Sequence, residues 1–170
     1  MIIDCITVWQ PWASLIAIGA KPYEFRGWVP PKELVGKRIG IHAGARPVRR
    51  SEVVDILDRL HGRSDGAHPC LYAGKAIPFL EKVLAGLDAP DMPIFGEPAF
   101  RLPLSSVVCT GVLGRPKRGD DCAREFGAGA GNDSDRAGTF NWGWPLTDIE
   151  EVIPPDPARG RQGFWKWSSL

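Results

Sequence analysis

Glycine and proline together occupy about one position in five of this 170-residue chain, with Gly 20 and Pro 16. Glycine adopts backbone angles that other residues avoid, and proline lacks the amide proton that helices and sheets use. A chain punctuated this densely is built from short strands and many turns rather than from long helices.

The runs between these breaks define the expected elements. Ile2 to Val8 is mostly β-branched or apolar and reads as a buried strand, ended by Trp9-Gln10-Pro11-Trp12. Pro11 suits the first position of a helix, and Trp12, Leu15, Ile16 and Gly19 follow at helical spacing before a stop at Gly19-Ala20. Tyr23 to Trp28 and Val35 to Ala43 read as the second and third strands, with Pro30 and Pro31 between them. The pattern then turns helical: Val53, Val54, Ile56, Leu57 and Leu60 make one apolar face, and Phe79, Leu80, Val83, Leu84 and Leu87 another. These two helices form an insert over about residues 47–87. Gly62 to Gly74 is turn-rich, and Asp88 to Pro98 holds too many prolines for a helix or a central strand. Strand character returns at Ser105 to Leu113. Residues 119–138 are rich in Gly, Asp and Ala and read as a mobile loop or lid. Trp142 to Ile153 and Gly163 to Trp167 close the pattern, separated by Pro154-Pro155-Asp156-Pro157.

Strands at both ends with helices after the third strand describe an α+β chain, one domain over residues 1–170. Its first and last segments are expected to meet in one mixed or antiparallel sheet or small barrel. Pairing is also expected between the Ile41 region and the C-terminal segments.

Lys and Arg number 21 against 20 for Asp and Glu, a net charge of +1. That balance excludes a basic nucleic-acid coat and leaves nucleic-acid contact to a local patch. Cys5, Cys70, Cys109 and Cys122 lie far apart, with no C-x-x-C pair and no Cys/His spacing suited to zinc. Buried thiols are expected, with no metal and no cofactor. No basic leader with an apolar run opens the sequence, and no run of eighteen apolar residues occurs in it. A protein of the reducing cytoplasm without a membrane segment is the expectation.

Candidate chemistry gathers near the first helix. In Gly19-Ala20-Lys21-Pro22-Tyr23-Glu24-Phe25-Arg26, a strand places Glu24 and Arg26 on one face with Lys21 at the junction before it. Either Lys21 caps the helix while Glu24 and Arg26 form a structural pair, or the three make a polar cleft. Such a cleft can hold a base edge, or polarise a carbonyl and deprotonate water. Trp142, Trp144, Trp165 and Trp167 read as core stripes at period two, whereas Trp9, Trp12 and Trp28 flank the charged segment, where an indole can stack on a nucleobase. His42, at a strand end, is a core or rim histidine or a site residue. Arg159-Gly160-Arg161-Gln162-Gly163 is a phosphate-binding or simply solvated turn, and Arg46, Arg49 and Arg50 are further candidate phosphate contacts.

At these residues the sequence resembles the ASC-1 homology (ASCH) domain family, which has a PUA-like fold. The resemblance rests on Val8-Trp9-Gln10-Pro11-Trp12-Ala13, on Gly19-Ala20-Lys21 followed by Glu24 and Arg26, and on Ile41-His42-Ala43-Gly44. It extends to Trp144-Pro145-Leu146-Thr147-Asp148 and Gly160-Arg161-Gln162-Gly163-Phe164-Trp165, while residues 46–101 match nothing in the family pattern. The resemblance implies a β-barrel flanked by helices, with a cleft beside the first helix. It implies binding of RNA or a modified nucleoside through Trp9, Gln10, Trp12, Arg26, His42, Arg159 and Gln162. The alternative it implies is a metal-independent hydrolase, either a single-strand ribonuclease or an amidohydrolase acting on N4-acetylcytidine, with Lys21 and Glu24 as catalytic residues. In the small amidohydrolases a lysine is followed three positions later by a threonine; Lys21 matches the lysine, and Glu24 stands in the threonine's place. A third reading is a protein-interaction adaptor using the amphipathic stripe Val53 to Leu60.

Overall fold

The structure is a computed structural model and describes residues 2–90, 98–131 and 142–168. In chain order the elements are β1 (Ile2–Val8), α1 (Trp12–Ala17), β2 (Tyr23–Arg26), a 3-10 turn (Lys32–Leu34), β3 (Arg38–Ala43), α2 (Arg50–Leu60), β4 (His68–Pro69) and α3 (Ala73–Asp88). They continue as β5 (Ser106–Leu113), β6 (Lys117–Arg118), α4 (Gly119–Arg124), β7 (Ala130–Gly131), β8 (Trp142–Pro157) and β9 (Phe164–Ser168).

The main sheet runs β2-β8-β5-β3-β1-β9, with β6 added against β8. It is mixed: β1 and β3 are parallel, and β1–β9, β3–β5, β5–β8 and β2–β8 are antiparallel. The first and last strands therefore meet as expected, Ile2 opposite Ser168 and Ile6 opposite Phe164. The expected pairing of the Ile41 region with the C-terminal segments is not what forms. β3 is nearly all buried, so it takes an inner place between the equally apolar β1 and β5. β8 and β9 carry exposed Glu150, Glu151 and Lys166, which suits them to outer places.

The path of strands is open. Among the described residues no ladder joins β2 to β9. Side chains bridge the gap instead: Trp144 of β8 stacks on Phe164 of β9 with ring centroids 5.8 Å apart, and Arg26 of β2 donates to the carbonyl of Thr7 at 2.7 Å.

Two core clusters share α1. Ile16 packs with Ile6, Val8, Ile39, Ile41 and Trp144 of the sheet, whereas its neighbour Leu15 packs with Val53, Ile56, Leu57 and Leu80 of the insert. Each such side chain contributes on the order of 1.5–3 kcal/mol by leaving water. The stripe Val53 to Leu60 is thus inward-facing core rather than a free surface. α1 ends in a glycine stop: Gly19 has φ +67°, and the amides of Gly19 and Ala20 donate to Ile16 and Leu15.

Several boundaries differ from expectation: β2 ends at Arg26 rather than Trp28, and β3 begins at Arg38 rather than Val35. β8 runs through Pro154, Pro155 and Pro157, because beyond Pro145 it pairs with β5 on one side only, and an edge has no ladder for proline to break. Within 119–138, α4 and β7 replace the expected loop, and residues 132–138 lie outside the described residues. α4 buries Cys122 and Ala123, and Glu125 just beyond it accepts from Tyr23 and from Lys117 at 2.8 Å. Much of the Asp88 to Pro98 stretch, residues 91–97, also falls outside the described residues.

Candidate functional site

Three adjoining cavities share Trp9, which leaves β1 with 59% of its surface exposed. The backbone behind it is close, since a Cβ on Gly44 would sit 3.1 Å from its ring.

The first cavity, about 280 Å³, is lined by Lys21, Glu24, Arg26, Trp12 and Phe25 beside Trp9. The turn after α1 sends Lys21 inward, 2% exposed, with its ammonium 5.0 Å from the Trp12 ring centre and 4.9 Å from that of Phe25. Aromatic faces attract a cation, so the two rings fix Lys21 at the cavity wall. Glu24, 6% exposed, meets the Arg26 guanidinium at 2.8 Å. Glu24 and Arg26 form the ion pair, and both line the cavity with Lys21, whose ammonium lies over the two aromatic rings.

The second cavity, about 840 Å³, opens beyond Arg26 and is bounded by Trp28, His42 and the Arg159–Gly163 turn. His42 Nε2 faces the Ala158 carbonyl at 2.9 Å and so carries the proton, which leaves Nδ1 to accept from the Thr7 hydroxyl at 3.2 Å. Burial lowers the imidazole's pKa from its usual 6.5, against the opposing pull of the Ala158 bond. Thr7 is the hub: the Trp165 indole donates to its hydroxyl at 3.3 Å, and that hydroxyl lies 3.2 Å from the Arg161 carbonyl. The Arg159, Arg161 and Gln162 side chains are exposed on the rim, and neither arginine has an ion-pair partner among the described residues.

The third cavity, about 380 Å³, lies on the α2 side of Trp9 and includes Gln10, Arg46 and Arg49. Gln10 is 1% exposed; its amide donates to Ser14 Oγ and to the Pro103 carbonyl, both at 2.8 Å, and its oxygen accepts the Ser14 amide. Its hydrogen bonds hold α1 in place. Arg50 points elsewhere, to Asp88 at 2.7 Å.

Of the residues singled out by sequence, Trp9, Trp12, Lys21, Glu24 and Arg26 line one cavity. His42, Arg159 and Gln162 line the next, which shares Thr7, Trp9 and Arg26 with the first. Thr7 and Phe25 escaped sequence reading. Thr7 offered one signal, a hydroxyl within an otherwise apolar stretch of strand.

Thiol and metal chemistry find little support. Burial pushes the Cys5 and Cys109 thiols up to about 12 and that of Cys122 to about 11, so none is a ready nucleophile. Among the described residues no group of His, Cys, Asp and Glu is arranged to hold a metal ion, and no helix is long and apolar enough to cross a membrane.

No protein-family model and no curated protein matches the chain. Among solved structures it is similar to the crystal structure of ASCH from Zymomonas mobilis, at 16% identity and a TM-score of 0.46, over 91% of this chain and 72% of that one. A serine-to-alanine mutant of the Zymomonas mobilis protein matches at 17% identity and a TM-score of 0.45, with the same coverage. Both are ASCH structures. In this chain the segments that carry the ASCH resemblance lie far apart in sequence, at the β1–α1 junction, in β2, at the end of β3, in β8 and in the turn before β9. Residues from the β1–α1 junction, β2, the end of β3 and that turn line the first two cavities.

Proposed function

We propose that this chain is an ASCH domain whose curled sheet approximates a PUA-like barrel, and that it binds RNA or a modified nucleoside in the cytoplasm. One observation carries this reading: the exposed Trp9 lines both a recess holding Lys21 and Glu24 and a wider cavity rimmed by Arg159 and Arg161, which have no ion-pair partner among the described residues. A base stacks on an indole, its polar edge finds a donor and an acceptor in the recess, and the backbone phosphate meets the arginines. The near-neutral chain concentrates this positive charge locally. Titration of tryptophan fluorescence with short RNA oligomers and with nucleosides, N4-acetylcytidine included, tests it. Quenching by either set at low salt is expected, and weakening of the oligomers as salt rises. Silence from both sets overturns the reading.

Hydrolysis is the second reading, favoured by the shared recess of Lys21 and Glu24. Glu24 would take a proton from water as its oxygen attacks an amide carbon, Lys21 would stabilise the oxyanion, and the proton would pass to the departing amine as the C–N bond breaks. The 2.8 Å contact to Arg26 already engages the carboxylate, which supports binding over catalysis. Incubation with N4-acetylcytidine followed by chromatography decides: turnover that Lys21→Ala abolishes without lowering the melting temperature establishes the hydrolase.

A further inference from the structure

The helical insert also borders the site, through the third cavity between the start of α1 and α2. We propose that this cavity is a second phosphate subsite, so that a single-stranded oligonucleotide crosses Trp9 with one phosphate on the Arg159–Arg161 side and another on the α2 side. The inference rests on the groove reading above and extends it to the length of the ligand.

Three arginines converge there. Arg46 sits over Trp9, its Cζ 4.5 Å from the ring centre, and bonds Glu52 at 2.7 Å; Arg59 pairs with Asp55 at 2.9 Å. Each carboxylate engages an outer nitrogen of its arginine, and the Nε atoms of Arg46 and Arg59 are buried with no hydrogen-bond partner. A buried donor without an acceptor is costly, and an oxyanion entering the cavity supplies one. Arg49, on the same wall, is exposed, and the Glu52 carboxylate whose charge it feels is already bonded by Arg46. The cavity thus keeps guanidinium donors in excess of its two carboxylates. Its volume of about 380 Å³ is that of a small ligand site. Trp9 forms a wall of all three cavities, so a base stacked on it has Arg46, Arg49 and Arg59 on one hand and Arg159 and Arg161 on the other for its flanking phosphates.

The test compares uridine 5′-monophosphate with uridine tri- and pentanucleotides by tryptophan fluorescence at several salt concentrations. Wild-type protein is expected to bind the pentanucleotide about tenfold or more tighter than the monophosphate. Arg49→Gln with Arg59→Gln removes most of that advantage and leaves the monophosphate unchanged. It also makes the salt dependence shallower, by about 0.7 in log–log slope for each phosphate no longer neutralised. Arg49→Gln alone, at an exposed position, gives the same direction if the double variant folds poorly. If these variants bind the pentanucleotide like wild type while Arg161→Gln weakens it, the subsite is overturned and the groove reading stands. If Arg161→Gln and Trp9→Ala are equally without effect, or nothing binds, both fall. Inorganic phosphate is the control: displacement of the pentanucleotide from wild type but not from Arg49→Gln would mark a free-anion site and overturn the strand assignment.

Discussion

Gly160 lies directly against the imidazole of His42: a Cβ placed on this glycine would stand 2.5 Å from Cε1 and 2.7 Å from Nδ1. The same Cβ would meet the Thr7 hydroxyl at 2.8 Å, so the turn carrying Arg159 and Arg161 rests flat on the Thr7–His42 pair. Only the smallest residue permits this approach.

Gly160→Ala is therefore expected to lift the turn, weaken oligonucleotide binding and destabilise by about 1–3 kcal/mol through overpacking. Adding His42→Ala opens room for the new methyl. The double variant should recover part of the stability that Gly160→Ala removes, which a non-additive melting-temperature cycle would reveal.

The two kinds of tryptophan separate in one comparison. Trp9→Ala, at an exposed position, should reduce binding and leave the melting temperature within a degree or two. Trp144→Phe removes volume from a fully buried site and the indole donor to the Trp28 carbonyl. It should cost about 1–3 kcal/mol, although Trp144 itself lines none of the three cavities.

Acid should expose His42. Its pKa is lowered in the folded chain, so the unfolded chain binds the proton more readily as pH falls past the usual 6.5. Stability is then fully present above that pH and declines below it through the lowered folded value. Denaturant midpoints measured between pH 7 and pH 5 should fall in the wild type, and His42→Gln should flatten this decline. A slope unchanged by the substitution would assign the effect to other groups.

Thiol labelling reports folding. Cys5, Cys70, Cys109 and Cys122 are all buried, and thiolate formation at Cys5 and Cys109 is pushed to about pH 12. At pH 8 a thiol reagent should modify these sites slowly in native protein and promptly in denaturant.

Much of the fold was legible where local chemistry decides it. β1 was legible to the residue because a mostly β-branched or apolar run of seven positions is bounded by an aromatic-polar-proline turn. α2 was legible because its apolar face repeats at helical spacing and stops at Gly62, which has φ +66°. α4 was not, because distant contacts of Tyr23 and Lys117 with Glu125 anchor it rather than any periodic face of its own. Strand order also escaped, since β3 chooses between neighbours by how thoroughly each can be buried. In the site, Lys21, Glu24 and Arg26 were visible from their spacing within a single segment. Thr7 was not, because an isolated threonine in a strand is ordinary, and its partners His42, Arg161 and Trp165 lie 35, 154 and 158 positions away.

The pairing of β1 with β9 sets an order of events for the growing polypeptide. Ile6 leaves the ribosome long before its antiparallel neighbour Phe164. Until then β1 carries one bare edge, and closing so long a loop is slow. The Arg161 carbonyl cannot reach Thr7 before β9 docks, so this wall of the second cavity is completed last, while the β1–β3 pair is free to assemble.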